Sequence, residues 1–290
     1  MGISADARCI QCFLDRNMEF ARTQGDEAQA TRFCKAMLQM FLDAPEDISA
    51  PWYAPHTARI LQEVYGLGLD RYRPEKEASN AFVLARLEQL RAGVEEAADP
   101  LLAGLQYAIL GNYIDFAALQ EEVNFEKLDA MLARARQIVL PEENVAAFRR
   151  DLARGKKLLY ITDNAGEIGF DRVFAEKLAQ LYPHLEITFL VRGGPALNDA
   201  TEEDARQVGV PFPVIGNGNM VSGTQLDQLS PAAEEALYGA DVIISKGQGN
   251  VETLYGCGLN IYYAFLIKCD RFTQLFGQPR LTPMFMREKK

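Results

Sequence analysis

Histidine and long hydrophobic segments are scarce in this 290-residue sequence. Its only histidines are His56 and His184, so a zinc site with three histidine ligands cannot be built, and we interpret both as surface or packing residues. The longest apolar segment, residues 261–267, is far shorter than the roughly 18 residues of a membrane-spanning helix. No apolar segment follows the polar N-terminal residues, as a secretion signal requires. We therefore expect a cytoplasmic protein without a membrane partner.

Positive charge and cysteine are also limited. The 30 Lys and Arg residues are outnumbered by 40 Asp and Glu residues, which gives a formal net charge of −10. Because such a surface repels a phosphate backbone, we expect no nucleic-acid partner, whereas small phosphorylated metabolites remain compatible with a local cationic site. Five cysteines are too few for a disulfide framework. Cys9 and Cys12 have the spacing of a metal knuckle, but no second such pair follows, so we interpret them as small buried thiols.

The first half of the chain has the pattern of helices. It is rich in Ala, Leu, Glu, Gln and Arg and has few β-branched segments. Apolar residues recur at three- and four-residue steps, as on one helix face. The predicted helices cover residues 10–20, 30–41, 57–64, 78–97, 101–109 and 125–138. We therefore predict an N-terminal all-α subdomain over residues 1–144.

Strand and helix patterns alternate in the second half, after one more helix at residues 145–154. The predicted strands are 158–162, 187–191, 212–215, 242–245 and 261–266, and the predicted helices between them are 170–181, 202–208 and 232–238. This alternation is typical of a mostly parallel sheet with helices on both faces. The sequence thus predicts an α/β fold, in which the helical subdomain caps a three-layer α/β/α domain (residues 145–290) with a Rossmann-like sheet.

Three predicted strands end in polar segments. These are Asp163-Asn164-Ala165-Gly166-Glu167, then Arg192-Gly193-Gly194 with the nearby Asn198-Asp199, and finally Lys246-Gly247-Gln248-Gly249-Asn250. In open α/β sheets, ligands bind beyond the carboxyl ends of the strands. Carboxylate and amide oxygens favour Mg²⁺ or Mn²⁺ over zinc, and Arg and Lys pair with anions. The sequence therefore predicts one crevice where a divalent cation and an anion bind.

Structural explanations compete with these functional ones. Asp163 and Asn164 are both residues that commonly cap helices, but one cap needs only one such residue. The segment 111–115, Gly-Asn-Tyr-Ile-Asp, could equally end one helix and begin the next, and the residues alone leave its role open. The sequence contains no GxxxxGK[ST] or GxGxxG motif for a nucleotide. The surplus of polar groups on three separate strand ends favours a functional site.

In order along the chain, these motifs resemble those of the damage-control phosphatases, a metal-dependent family once catalogued as a domain of unknown function. The resemblance covers essentially the whole chain and is to the short prokaryotic branch, whereas longer eukaryotic members were once described as acidic-residue methyltransferases. The motifs are Cys9-x-x-Cys12, Gly111-Asn112-x-x-Asp115, Asp163-Asn164-Ala165-Gly166-Glu167, Asn198-Asp199 and Lys246-Gly247-x-Gly249-Asn250.

The resemblance implies a hydrolase for small phosphorylated metabolites, such as sugar phosphates or damaged phosphometabolites. It implies a divalent metal, Mn²⁺, Mg²⁺, Co²⁺ or Ni²⁺, with Asp163, Asn164 and Asp199 as ligands. It also implies that Lys246 binds the phosphate and that Asn112 and Asp115 lie at the cleft wall.

Within that framework we expect further residues to bind the substrate. Arg192, the backbone amides of Gly193 and Gly194, and Asn250 would join Lys246 around the phosphoryl oxygens. The longer members carry an acidic residue and Leu where residues 248 and 249 are Gln and Gly, so their sugar-phosphate preference does not carry over.

The catalytic base and the function class stay open at this point. Asp163 or Glu167 would activate the attacking water, and an aspartyl-phosphate at Asp163 is the rival route. A carboxyl methyltransferase that uses S-adenosylmethionine is one alternative, although no glycine-rich loop follows the first predicted strand. A non-catalytic protein that binds a phosphorylated metabolite is the other. The hydrophobic content fits a monomer or a dimer equally well.

Overall fold

A mostly parallel β-sheet lies at the centre of the computed structural model, which describes residues 2–119 and 123–288. Within these residues its six strands are β1 (Lys157–Ile161), β2 (Glu186–Val191), β3 (Val214–Gly216), β4 (Val242–Lys246), β5 (Ile261–Leu266) and β6 (Pro283–Arg287). Their spatial order is β3-β2-β1-β4-β5-β6, in which β1 to β5 are parallel and β6 is antiparallel to β5. This arrangement confirms the predicted α/β fold with a Rossmann-like sheet.

The inner strands are nearly continuous in apolar residues because helices cover both faces of the sheet. In β1, the four residues from Leu158 to Ile161 are all buried. Tyr160 stacks on Phe189 of β2, with 4.8 Å between the ring centroids. The sequence pattern does not predict β6, because its segment Pro-Met-Phe-Met-Arg contains no β-branched residue.

Helices precede the sheet and alternate with its strands. They are α1 (Ala7–Gln24), α2 (Glu27–Asp43), α3 (Tyr53–Tyr65), α4 (Arg73–Leu84), α5 (Leu87–Glu95), α6 (Pro100–Gly111), α7 (Phe116–Leu119), α8 (Phe125–Leu132), α9 (Glu142–Arg154), α10 (Glu167–Leu181), α11 (Glu202–Gln207), α12 (Pro231–Gly239), α13 (Gln248–Leu254) and α14 (Asp270–Phe276).

Two helix predictions differ from the structure, and some short helices are not predicted. The single helix predicted over residues 78–97 is wrong, since α4 and α5 are separate helices. Arg86, between them, donates two hydrogen bonds of 2.8 Å to Asp129 of α8, a tertiary contact that the local sequence pattern does not contain. The helix predicted over residues 125–138 ends at Leu132, and a 3-10 turn follows at Ala135–Gln137. The short helices α13 and α14 are not predicted, because each spans only about two turns.

The two faces of the sheet have separate hydrophobic cores. Helices α6, α9 and α10 cover one face, and α12, α13 and α14 cover the other. Helix α6 packs closely on α10, because a Cβ atom at Gly104 would lie only 2.7 Å from the ring of Phe174. The first core therefore contains residues from both sides of residue 144, and the predicted domain boundary stays a prediction.

Helices α1 to α3 pack around a hydrophobic cluster of their own, which includes Phe33, Met37 and Tyr53. Residues of α1 and the segment before α3 enclose a cavity together with the carboxyl ends of the strands. All five cysteines lie in the described residues, where each is unpaired and partly buried. None of the helices described combines the length and apolar character that crossing a bilayer takes.

Candidate active site

Two loops at the carboxyl end of the sheet are joined by backbone hydrogen bonds. The loop after β1 and the loop after β2 form an antiparallel bridge between Asn164 and Asp199. Ala200 N donates to Asp163 O at 2.7 Å, and Ala165 N donates to Asn198 O at 2.9 Å. These bonds bring Asp163, Asn164 and Asp199 together, as the strand-end argument predicted.

The loop after β4 approaches the same point through a glycine. Gly247 has a φ of +77°, and a Cβ atom there would lie 2.0 Å from the Asp163 carboxyl carbon. Any other residue at this position would displace Asp163. Contact with the Asp163 side chain therefore explains why the residue after Lys246 is a glycine.

Asn112 connects α6 to the loop after β1. Its Nδ2 donates to Asp163 Oδ2 at 2.9 Å and to Glu167, and its Oδ1 accepts from Leu266 N at 3.0 Å. Asn112 is fully buried and is also the residue that follows α6. The segment that the sequence left undecided therefore both ends a helix and contacts Asp163, one of the predicted metal ligands.

Lys246 lies behind this cluster rather than in the cavity. Its Nζ donates to Ala108 O at 2.8 Å, to Glu167 Oε1 at 2.6 Å and to Asp171 Oδ1 at 2.7 Å. These three bonds use all of its N–H donors, so in this arrangement Lys246 has no donor left for a phosphate. Burial lowers its pKa, but the Asp171 and Glu167 carboxylates raise that pKa by more, and the ammonium stays charged. The structure thus separates Lys246 from the position that the resemblance implied.

Glu167 and Asp171 share the Lys246 ammonium. Glu167 also accepts hydrogen bonds from the Asn164 side chain at 2.7 Å and from Asn112, and it is fully buried. Burial raises the pKa of Asp171 to about 7, and the hydroxyl of Tyr160 donates to its Oδ1 at 2.8 Å. With its oxygens occupied, Glu167 is placed to orient Asn164 and Asn112.

Arg192 supports the ligands from the side of β2. Its Nε donates to Asp199 Oδ2 at 2.5 Å and its NH1 to Asn250 Oδ1 at 3.2 Å. Its NH2, which has no hydrogen-bond partner among the described residues, lies 3.6 Å from Asp163 Oδ1. Asn250 in turn donates to Thr162 O at 2.9 Å, so both side chains hold the loops in place.

Gly193 and Gly194 face a different cavity. The amide of Gly193 donates to Asn217 Oδ1 at 2.8 Å and to Asn219 O at 3.0 Å. Both glycines line a second cavity of about 570 Å³. The structure therefore does not bring them to the predicted ligands.

A cavity of about 870 Å³, called here the main cavity, opens over the predicted metal ligands. Its polar end is lined by Asp115, Asp163, Asn164, Asp199, Ser222 and Lys268, with Gln248, Gly249 and Glu252 on the adjoining wall. Elsewhere it is lined by aromatic rings, among them Phe13, Phe20, Tyr72 and Phe116. This volume is in the range of small-molecule sites.

Lys268 is a cation at the polar end of this cavity that sequence reasoning missed. Its Nζ lies 2.6 Å from Asp115 Oδ2, and its side chain is 3% exposed. Burial lowers the pKa of Lys268, but the carboxylates of Asp115, Asp163 and Glu167 raise it above its usual value. Lys268 lies two residues after Leu266, the end of a predicted strand, so the rule applied to the other strand ends could have found it.

The carboxylates of the polar end crowd one another. Burial raises the pKa of Asp163 well above its usual value, and the charges of Glu167 and Asp199 raise it further. Burial also raises the pKa of Asp199, although Arg192 and Ser222 lower it. A cation placed between the two carboxylates would relieve this repulsion.

The donor set suits a hard divalent cation. Within residues 2–119 and 123–288, no three His, Cys, Asp or Glu side chains are grouped as metal ligands. In the predicted ligand set, the amide oxygen of Asn164 would be the third donor beside Asp163 and Asp199. That oxygen accepts one hydrogen bond, from Asn198 at 2.9 Å, and keeps a second lone pair. Two carboxylates and an amide oxygen fit Mg²⁺ or Mn²⁺.

Known proteins are similar to this chain in sequence or in fold. The sequence model of one protein family, the damage-control phosphatase ARMT1-like domain, matches residues 5–282. A damage-control phosphatase from Archaeoglobus fulgidus is 31% identical over 275 residues, which cover 93% of this chain and 94% of that protein. An uncharacterized protein from Methanocaldococcus jannaschii is 30% identical over 288 residues, with 93% and 90% covered. The crystal structure of a DUF89 family protein from Pyrococcus horikoshii has a TM-score of 0.81 at 25% identity and covers 99% of this chain and 100% of that one.

Proposed function

The chain belongs to the damage-control phosphatase ARMT1-like family, and from this premise we propose that it is a metal-dependent hydrolase of small phosphomonoesters. Relatives named damage-control phosphatases support the phosphatase role. The metal dependence and the phosphomonoester substrate are supported by one observation. Asp163, Asn164 and Asp199 line the main cavity together with the charged Lys268. A cytoplasmic location stays a prediction.

Asp163, Asn164 and Asp199 are the residues that would hold the metal, as Mn²⁺, Mg²⁺, Co²⁺ or Ni²⁺. Metal dependence is general in this family. When bound, such an ion polarises a phosphoryl group and offsets the repulsion between the carboxylates. Arg192 and Ser222 hold Asp199 in place, while Asn112 holds Asp163.

Lys268 is the residue that we assign to the phosphoryl oxygens. It lines the same cavity end as the metal ligands, and Asp115 fixes its ammonium group there. A buried ammonium beside the reacting group balances the charge on the phosphoryl oxygens in the transition state. Lys246 then acts as a positioning residue, since it holds Glu167, which in turn holds Asn164.

Asp163 is the residue that we assign to the attacking water. Its Oδ2 accepts from Asn112 and Asn164 at 2.9 Å and 2.8 Å, and the residue lines the cavity. In this role the carboxylate accepts a proton from the water. The rival route, an aspartyl-phosphate, is detected by quenching turnover with borohydride, which converts that intermediate to homoserine. Mass spectrometry that finds no homoserine at position 163 supports direct attack by water.

The proposal is tested by phosphate release from p-nitrophenyl phosphate and sugar phosphates. The protein is stripped of metal and then supplied with Mn²⁺, Mg²⁺, Co²⁺ or Ni²⁺. We expect turnover only with metal, and a loss of at least about 100-fold in Asp163→Asn. Asp47→Asn, which removes an exposed carboxylate, is the matched control and keeps the activity. Metal binding without hydrolysis of any compound would instead favour the non-catalytic metabolite-binding alternative.

A further inference from the structure

Glu252 is a carboxyl group on the wall of the main cavity that the proposed reaction does not use. It lies on α13, is 6% exposed, and lines the cavity together with Gln248 and Gly249 of the same helix. Gly249 and Glu252 are three residues apart and therefore share one face of α13. Glu252 thus lies on the wall of the space in which a substrate would lie.

The Glu252 carboxylate lacks a partner. No hydrogen-bond donor or salt-bridge cation in residues 2–119 and 123–288 pairs with it. The neighbouring cation, Arg271, donates to Cys9 Sγ at 3.2 Å and to Ser4 O, and its Nε lies 3.3 Å from Asp6 Oδ2. Arg271 is therefore committed to the N-terminal segment. A largely buried carboxylate without a protein donor is free to accept a hydrogen bond from a ligand.

We propose that Glu252 binds a protonated amino group of the substrate, so that the preferred substrates are phosphomonoesters that carry an amine. This inference rests on the proposed phosphatase function. A cationic donor fits better than a hydroxyl group, because it supplies both the missing hydrogen bond and the missing charge.

The position of α13 connects this group to the phosphoryl site. The helix begins directly after Gly247, which packs against Asp163. Ser222, which binds Asp199, lines the same cavity. Glu252 and the predicted metal ligands therefore line one cavity, and the proposal requires a substrate whose phosphate and amine reach both.

The protonation state of Glu252 should make the preference for an amine depend on pH. Burial raises its pKa to about 7, although the charge of Arg271 on α14 lowers it and Asp6 raises it. The thiols of Cys9 and Cys269 also face it. An alkylamine stays protonated between pH 6 and pH 8, so the preference for an amine should increase over this interval as Glu252 ionises.

The test compares matched substrates that differ in one group. These are 2-aminoethyl phosphate against 2-hydroxyethyl phosphate, and 3-aminopropyl phosphate against 3-hydroxypropyl phosphate, each with the supporting metal. At pH 8 we expect kcat/KM to favour each amine by about tenfold or more, and this ratio to fall as the pH is lowered to 6. In Glu252→Gln the ratio should fall to about one.

The ratio within one variant cancels any loss of folded protein. Glu235→Gln, which removes an exposed carboxylate on α12, is the matched control and should keep the ratio. Equal rates for amine and hydroxyl compounds in the unsubstituted protein would overturn the inference while leaving the phosphatase intact. An amine preference that survives Glu252→Gln would overturn the assignment to this residue. Failure to hydrolyse even p-nitrophenyl phosphate would reject the proposed function and this inference with it.

Discussion

Lys246 and Lys268 are two buried lysines at the carboxyl ends of neighbouring strands, yet they lie on opposite sides of the candidate site. Lys246 is the last residue of β4 and contacts Glu167 and Asp171 behind the metal ligands. Lys268 lies just beyond β5, lines the main cavity and contacts Asp115. Position at a strand end therefore selects the region of a site, but the direction of the side chain decides the role.

The alternation of side chains along β4 explains the difference. Val242 and Ile244 point into the core beneath α6 and α10, and Ile243 points into the core on the other face. Lys246 continues the even-numbered series, so it points toward α6 and α10 as well. Lys268 lies past the end of its strand and is not bound by this alternation.

The largest effect that we expect from this comparison is on stability. Lys246→Met leaves the carboxylates of Glu167 and Asp171 buried without their cation, which should lower the free energy of unfolding by about 3–5 kcal/mol. Urea denaturation measures the change. Lys157→Met, at an exposed position of β1, is the control and should change stability little. A loss for Lys246→Met as small as that of the control would contradict a structural role.

The other lysine should act on the reaction. Lys268→Met removes the cation at the polar end of the main cavity, and kcat/KM for p-nitrophenyl phosphate should fall by about 10²- to 10³-fold. The double variant Lys268→Met, Asp115→Asn also removes the stranded carboxylate and should regain stability without regaining activity. The assignment of Lys268 fails if this double variant hydrolyses phosphomonoesters normally.

Glu252 extends the comparison to a buried charge without a lysine. Its pKa is raised by burial from 4.5 to about 7, so ionisation costs stability in the folded state. Below pH 4.5, the unsubstituted protein and the Glu252→Gln variant should have the same free energy of unfolding. As the pH rises, the free energy of unfolding of the unsubstituted protein should fall below that of Glu252→Gln, and the difference should reach about 3 kcal/mol above pH 7. Urea denaturation at pH 4 and pH 8.5 gives both values, and a pH-independent difference would contradict the unpaired state.

The smallest effect concerns the outer edge of the Lys246 cluster. Tyr160→Phe removes the hydroxyl that donates to Asp171 and should lower the free energy of unfolding by about 1 kcal/mol. Thermal denaturation measures this loss, and Tyr238→Phe, at an exposed position, is the control for removing a tyrosine hydroxyl. A more stable Tyr160→Phe variant would mean that the hydroxyl is not a net contributor.

The sequence predicts the sheet well because its strands are buried on both faces and read as short apolar segments between polar ones. The same pattern leads to Asp163, Asn164 and Asp199, which the structure brings together. Whether they are metal ligands stays a prediction. What is missed involves tertiary contacts: Arg86, between α4 and α5, binds Asp129 of α8, and Arg192 binds Asp199.

The backbone bridge between Asn164 and Asp199 has a consequence for how this protein can change over evolutionary time. The backbone hydrogen bonds between the two loops come from the amides of Ala165 and Ala200 and end on carbonyl groups, so these bonds do not depend on which side chains the loops carry. Substitutions at positions 163, 164 and 199 can therefore alter the chemistry while the loops keep their spacing. A single βαβ unit thus serves as a reusable frame, on which a descendant could lose one ligand set and acquire another without having to find a new fold.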